Sequence, residues 1–557
     1  SDNDLIDDSE CIADMKQASY FQDKRSFVYK YVFPEQEYKL KKGRSVIISN
    51  NTNPDRSDYA GKIQELDQIK RTLLLRKGIS KDEKKLPRIL SISEKVMEHA
   101  RFENLNKNIY SFCENVIEKK SGFEAIKSFL NRDIPKIKGK KLGEKILKSE
   151  NFTEEIPNII NNLEKSYLYL QGPPGSGKTY QAANAIIELL KNKKKVAVTA
   201  NSHKVIHNLL GRIEKLASNQ NFIFKGLKMG NIENEDTYFN GELIKTDKNE
   251  KHFINELREN KTLLYAGTKY HLSQFYYRNK LDYLFVDEAS QISVADLVAL
   301  GGIAKNIILV GDQMQLGQPV QGSHPGESGK SVLDFLLEGK DTIGENKGIF
   351  LNKTYRLHPS INDFTSKNFY ENRLLINDHN INRQIEYKKN SIITKEGIHT
   401  ILMNHKNRAQ TCVEEFVIIK KLMDQLIGCK FKDYDNSERK ISINDILIVS
   451  PFNAQVNFLK SRLHKDAQCG TIDKFQGAEA PITIISMTSS SVEDLPRNKK
   501  FFFNRNRLNV AISRAQCSSI LLLNPKLLET PPSDYDEFKL LNYFQKLMNF
   551  ERKIDIN

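Results

Sequence analysis

The residues with the clearest chemical purpose are Gly172-Pro173-Pro174-Gly175-Ser176-Gly177-Lys178-Thr179, which fit the pattern G-x-x-x-x-G-K-[ST]. Glycines at 172, 175 and 177 let backbone N–H groups turn inward around phosphate oxygens. Lys178 would neutralise the β and γ phosphates, and the Thr179 hydroxyl would ligate Mg2+. Tyr180 follows at once and completes the segment assigned to nucleotide contact. Further on, Leu284-Phe285-Val286-Asp287-Glu288 reads as an apolar strand ending in two acids. Asp287 is suited to hold Mg2+ through its hydration shell and Glu288 to polarise an attacking water, a division of labour that hydrolysis needs and mere nucleotide binding does not. A decoy stands just before this strand: Asn279-Lys280-Leu281-Asp282 spells the N-K-x-D of guanine readers. Those readers follow the acidic strand by a long interval, so coincidence is the better account and ATP is the expected nucleotide.

The phosphate loop must be fed by a strand and followed by a helix. Tyr167 to Leu170 supplies the strand; Ala183, Ile186, Ile187 and Leu190 mark one face of the helix. From there to the end, strand-like runs (YLYL, VAVTA, LLYAG, YLFVDE, IILVGD, DILIVSPF, ITIISMT, SILLLN) alternate with helical stretches, which indicates parallel sheets covered by helices. About 400 residues exceed one sheet, so two α/β domains are expected, 151–345 and 346–557, with a polar insertion over 211–262 in the first. Upstream, short β-type runs separated by turn signals, including NNTNPDRSD, predict a small β-barrel over 31–90. Apolar spacing of three and four (Val96, Ala100; Phe112, Val116, Phe123) predicts a helical stalk and basic linker over 91–150. Residues 1–30 read as an N-terminal extension. Because residue 1 is Ser rather than Met, the chain is expected to start inside a longer protein or at a trimmed boundary.

Composition limits the partners. Lys and Arg total 85 against 70 Asp and Glu, a net charge of +15, which suits a polyanion. No run approaches the roughly 18 apolar residues that span a bilayer, and the acidic start lacks the profile of a secretory signal, so neither a membrane nor secretion is expected. Cys11, Cys113, Cys412, Cys429, Cys469 and Cys517 are scattered without C-x-x-C spacing, as buried thiols of a reducing cytoplasm would be.

Further segments occur in a telling order: Asp287-Glu-Ala-Ser-Gln291, Gly311-Asp-Gln-Met-Gln315-Leu316, Thr354-Tyr-Arg356-Leu-His-Pro359, Gly470-Thr-Ile-Asp-Lys-Phe-Gln-Gly-Ala-Glu479 and Leu508-Asn-Val-Ala-Ile-Ser-Arg514-Ala515. In this order they resemble superfamily 1B helicases, such as the nonsense-mediated-decay helicase. The chain resembles more closely the helicase half of bacterial proteins that fuse a RecB-like nuclease to such a motor. The stretches SYLYLQGPPGSGKTY, TANSHKVIHNLL, GSHPGESGKS and SSSVEDLPR carry that second likeness.

The resemblance implies an α/β fold of two RecA-like P-loop domains with the barrel on its stalk. Gln315 would sense the γ-phosphate, and Arg356 and Arg514 would reach across the cleft as arginine fingers. Glu479 would bind ribose and Tyr355 would stack on adenine. Ser202, Thr268 and Thr471 would donate to a sugar-phosphate track, with Pro451 and Phe452 beside it, so little base preference is expected. The implied function is an ATP- and Mg2+-dependent helicase or translocase, 5′-to-3′ on single-stranded DNA. RNA as track, or an ATP-gated clamp that never unwinds, stay open as alternatives. An upstream nuclease domain or partner is implied too, although residues 1–30 are too short to form one. The sequence departs from the family in three places. The segment before Leu168 lacks the Gln-containing adenine-reading motif, Asn201 replaces a common Pro, and Phe452 a common Tyr.

Overall fold

The computed structural model describes residues 11–36, 38, 40–49, 59–68, 70–79, 85–94, 102–317, 324–475, 477–495, 499–529, 531–532, 534–550 and 553–555. Residues 1–10, the whole NNTNPDRSD turn stretch, Val96, Ala100, Gln476, the start of GSHPGESGKS and the end of SSSVEDLPR lie outside them.

The barrel begins earlier than its composition suggests. Cys11–Asp23 pairs with Ser26–Val32 and with Ile89–Glu94, and the sheet closes through Thr72–Gly78, Tyr59–Asp67 and Ser45–Ile48, every pairing antiparallel. The extension expected over 1–30 is therefore barrel from Cys11 onwards. Its first strand was hidden by an exposed outer half; Cys11, Ile12, Ala13 and Met15 are buried at its start, and Ile12 and Met15 join the barrel core. Tyr29, Tyr31, Leu73 and Leu75 alternate inward along their strands, the period-two pattern of a filled barrel. An amide hydrogen bond from Asn457, on the helix Asn453–Lys460, reaches Gln68 and ties the barrel to the distal half of the chain.

In the 91–150 stretch, helices Glu103–Ile117 and Glu124–Leu130 pack on the first α/β lobe. Asn108 donates to the carbonyls of Ser273 and Ala299 at 2.8 and 3.0 Å. Phe123, expected to continue one helix, instead sits between the two with φ +60°.

The first lobe is an eight-stranded parallel sheet in the order 244–247, 226–229, 264–266, 196–199, 281–286, 304–311, 167–171, 348–350. Successive residues face opposite layers: Tyr167 and Tyr169 enter one core, Leu168 and Leu170 the other. The 211–262 stretch adds the strands Gly226–Met229 and Ile244–Asp247 to one edge of this sheet. Gly348–Phe350 also belongs to it, so the first lobe runs past the expected boundary at 345. The second lobe is a six-stranded parallel sheet, 468–471, 446–450, 480–486, 515–523, 397–402, 553–555. One buried cluster, holding Leu284 and Ile307 together with Phe364, Leu447 and Leu521, runs continuously through both lobes. Among the described residues no helix is long and apolar enough to cross a membrane.

Candidate active site

Parallel sheets present their strand ends to ligands, and the motif residues gather there. The strand Tyr167–Gln171 runs into the phosphate loop, which opens on a Gly172 N–H bond to the Gly311 carbonyl at 3.0 Å and ends at the N-terminus of the helix Lys178–Lys191. Gly175 and Gly177 take φ +71° and +82°, and Lys178 Nζ donates to the Gly172 carbonyl at 2.7 Å. A Cβ at Gly172 would stand 1.9 Å from Lys178 Cγ, so the cradle excludes side chains.

Asp287 is 3% exposed at the end of Leu281–Val286, and its N–H is bonded to the Thr199 carbonyl at 2.9 Å. Burial and the neighbouring Glu288 push its carboxyl up to about 7, against the pull of Lys178. Glu288 itself adopts φ +48°, a left-handed conformation that costs a non-glycine residue about 1–3 kcal/mol and clusters at functional sites. Two crowded acids at a cradle closed by a lysine suit a divalent cation, and the Thr179 hydroxyl lines the same cleft. Ser176 Oγ in the loop and Thr199 Oγ1 beside Asp287 are buried without hydrogen-bond partners, as groups awaiting a polar ligand would be. Gln315 is buried and donates to Asp312 at 3.0 Å.

The second half of the chain reaches this cradle directly. Thr354 Oγ1 donates to the Pro174 carbonyl at 2.8 Å, and the Tyr355 N–H donates to the Gly175 carbonyl at 2.9 Å. A Cβ at Gly175 would lie 2.3 Å from Arg356 Cβ. Arg356 is held by Glu479 at 2.6 Å and by the Ser513 carbonyl at 3.2 Å. Burial would raise the Glu479 carboxyl, but the Arg356 charge and the hydrogen bonds from Arg356 and Gln516 hold it below the usual range. Arg514 is 2% exposed, donating to the Val510 and Ala478 carbonyls at 3.0 and 3.1 Å. Burial and the Arg356 charge pull its guanidinium down to about 9 while Glu288 pulls it up, so both arginines and the acid share one field. Tyr355 is 54% exposed beside the loop.

Most of these groups line one cavity of about 590 Å3, with Tyr355 and Thr354 outside its lining. It holds the loop from Pro173 to Tyr180 with Asp287, Glu288, Gln315, Arg356, Glu479 and Arg514. Ser202, expected on a nucleic-acid track, lines this cavity and caps the helix His203–Asn219 by accepting from Val205 N–H. Pro451 and Phe452, expected beside that track, follow the end of the strand Ile446–Ser450. Both are buried, and Phe452, 0% exposed, stacks on Phe502 at 5.9 Å inside the shared core. The apolar phenyl in place of the family's Tyr suits that burial. Thr268 and Thr471 are half-buried at strand ends outside the cavity. Lys204, Asn208 and Arg212, outside the ordered motifs, also line it, as do Asp473 and Lys474, which stand in a motif but were given no role. The spacing of the first three, four residues apart on one helix face, was the available signal.

What the fold and the site define is a phosphate-loop cleft lined by residues of two parallel-sheet lobes. One AAA domain family matches residues 158–327 and a second AAA domain family matches 329–526. In sequence the chain is similar to superfamily 1 helicases of the nonsense-mediated-decay type. Relatives include the DNA replication ATP-dependent helicase/nuclease dna2 of Schizosaccharomyces pombe, 25% identical over 380 residues (64% of this chain, 26% of that protein). The putative helicase mov-10-B.1 of Danio rerio is 26% identical over 436 residues (70% and 42%). The regulator of nonsense transcripts 1 homolog of Arabidopsis thaliana is 24% identical over 439 residues (68% and 33%). The chain thus spans less than half the length of each of these relatives.

Proposed function

We propose that the chain is an ATP-dependent helicase and translocase of superfamily 1B, built on two RecA-like domains and running 5′-to-3′ on single-stranded nucleic acid, with DNA as the favoured track. The observation that carries this reading is the contact of Thr354, Tyr355 and Arg356 with the phosphate loop. With Arg356 beside the loop apex, this contact supports a role for that cation in opposing the charge that hydrolysis would develop. Thr179 and Asp287 would hold Mg2+, which supplies Lewis-acid polarisation of the terminal phosphate. Lys178 stabilises the β and γ oxygens, and Glu288 takes the proton of the attacking water onto its carboxylate. Arg356 and Arg514 oppose the charge that grows on the transferred phosphoryl, and Gln315 reports its presence. Glu479 takes the ribose and Tyr355 the adenine face, where an exposed ring beside the loop is available.

Binding of ATP draws the lobes together through these cations, and hydrolysis releases them, so alternating grip moves the strand. The net charge of +15 favours a phosphate track, with Thr268 and Thr471 as donors to it. The name of the S. pombe relative joins a helicase to a nuclease, which favours DNA and an upstream nuclease domain or partner. The test compares ATPase activity with and without single-stranded DNA or RNA, and displacement of strands from 5′-tailed and 3′-tailed duplexes, with Lys178→Ala as the zero. Stimulated hydrolysis with opening of 5′-tailed DNA is expected. Stimulation without any opening would make the chain an ATP-gated clamp, and preference for RNA would reassign the track.

A further inference from the structure

A buried chain of hydrogen bonds joins the Gln315 loop to the helix that carries Arg514. Asp312, fully buried, accepts from Met314 N–H at 3.2 Å on one oxygen. Its other oxygen accepts from Gln315 Nε2 at 3.0 Å and from the Tyr370 hydroxyl at 2.7 Å. The Tyr370 oxygen in turn accepts from Asn509 Nδ2 at 2.9 Å, and the same amide donates to the Met314 carbonyl at 2.8 Å. One helical turn away, Asn506 Nδ2 donates to the carbonyls of Gln313 and Gln315 at 2.8 and 2.9 Å. Both asparagines lie on Arg505–Ile512, whose chain continues through Ser513 into Arg514. Tyr370 and Asn509 are both 0% exposed, and Asn509 Oδ1 has no partner, so this amide spends its donors on the loop and leaves its acceptor unsatisfied.

We propose that Tyr370 and Asn509 are positioning residues that tie the orientation of Gln315 to the placement of Arg514. The inference rests on the ATPase reading above. A turn of the Gln315 side chain towards a phosphate oxygen would draw Nε2 away from its 3.0 Å bond to Asp312. When it turns to phosphate, one oxygen of a buried carboxylate is left to the Tyr370 hydroxyl alone. Burial already pushes the Asp312 carboxyl up, so losing a donor is felt at once by the remaining partners. Tyr370 and Asn509 pass that change to the helix, and the arginine at its end moves with it.

The test uses the full chain with single-stranded oligonucleotide and ATP, comparing Tyr370→Phe, Asn509→Ser and the double variant. Tyr370→Phe keeps the ring that packs near Phe350 and removes only the hydroxyl. Each single variant should lower kcat about tenfold or more while KM and the unfolding temperature stay nearly unchanged, and the double variant should be no worse than either single. A merely structural role would instead lower stability and ATP affinity together. Hydrogen exchange across 505–512 provides an independent readout: a non-hydrolysable ATP analogue should protect this helix in the wild type and not in Tyr370→Phe. Equal protection in both, or multiplying kcat losses in the double variant, overturns the proposal. If the wild type hydrolyses no more ATP than Lys178→Ala, the ATPase reading is what fails, while the exchange comparison still decides the relay.

Discussion

The backbone N–H of Tyr355 donates to the carbonyl oxygen of Gly175 across 2.9 Å, which joins the arginine-bearing turn to the apex of the phosphate loop. Residues 180 positions apart thereby share one piece of rigid geometry, and the motifs of each become parts of one site.

Gly175→Ala tests that junction. The new methyl would lie 2.3 Å from Arg356 Cβ and would force a φ of +71° on an L side chain, a strain of about 1–2 kcal/mol. Displacing the Arg356 turn by such a contact should cost about 100-fold in ATP turnover. A steady-state ATPase assay that finds near-normal kcat would show the turn is free to move away.

Glu288→Gln keeps the shape of the side chain and removes its basicity. Nucleotide binding, followed by titration with a fluorescent ATP analogue, should persist, while hydrolysis falls about 10²–10⁴-fold. Loss of binding instead would contradict the role of water activator.

Arg514→Ala should slow turnover roughly 10³-fold and weaken ATP binding far less, because its charge matters most when the phosphoryl is in transit. Parallel losses in kcat and affinity would count against a finger. Its burial adds a structural cost, so the unfolding temperature of the variant belongs in the same experiment.

Phe452→Ala separates the core from the track. A phenyl stacked on Phe502 inside the shared core should cost about 3–5 kcal/mol of stability in chemical denaturation. A variant that keeps its stability and loses only nucleic-acid affinity would restore the residue to the track.

Acid should weaken the first lobe through His271. Burial lowers its imidazole from 6.5 to about 3, among the Phe253 ring, the Tyr277 hydroxyl at 2.7 Å and Tyr276. The unfolded chain therefore binds the proton first. The stabilisation is complete above pH 6.5 and is lost as pH falls towards 3, at about 1.4 kcal/mol per unit. Denaturation midpoints at pH 7 and 5 should show this slope, and His271→Phe should flatten it.

The letters alone announced the phosphate loop, the paired acids and the alternation of strands and helices, because each depends on residues close in the chain. A glycine that must turn, a lysine at a helix start and an apolar strand ending in carboxylates are local statements. The first barrel strand escaped because most of its outer half is polar, and no periodicity separates an exposed edge from an extension.

What folding alone decided is which distant segments meet. Ser202 and Phe452 stand in segments expected beside one nucleic-acid track, and folding sets the first on the cleft wall and the second in the shared core. The register of parallel strands, set by packing across both lobes, determines which strand end faces the cleft. Nothing short-range distinguishes them. Tyr370 lies outside every motif, and only folding sets it between Asp312 and Asn509, whose own motifs are far apart in the chain.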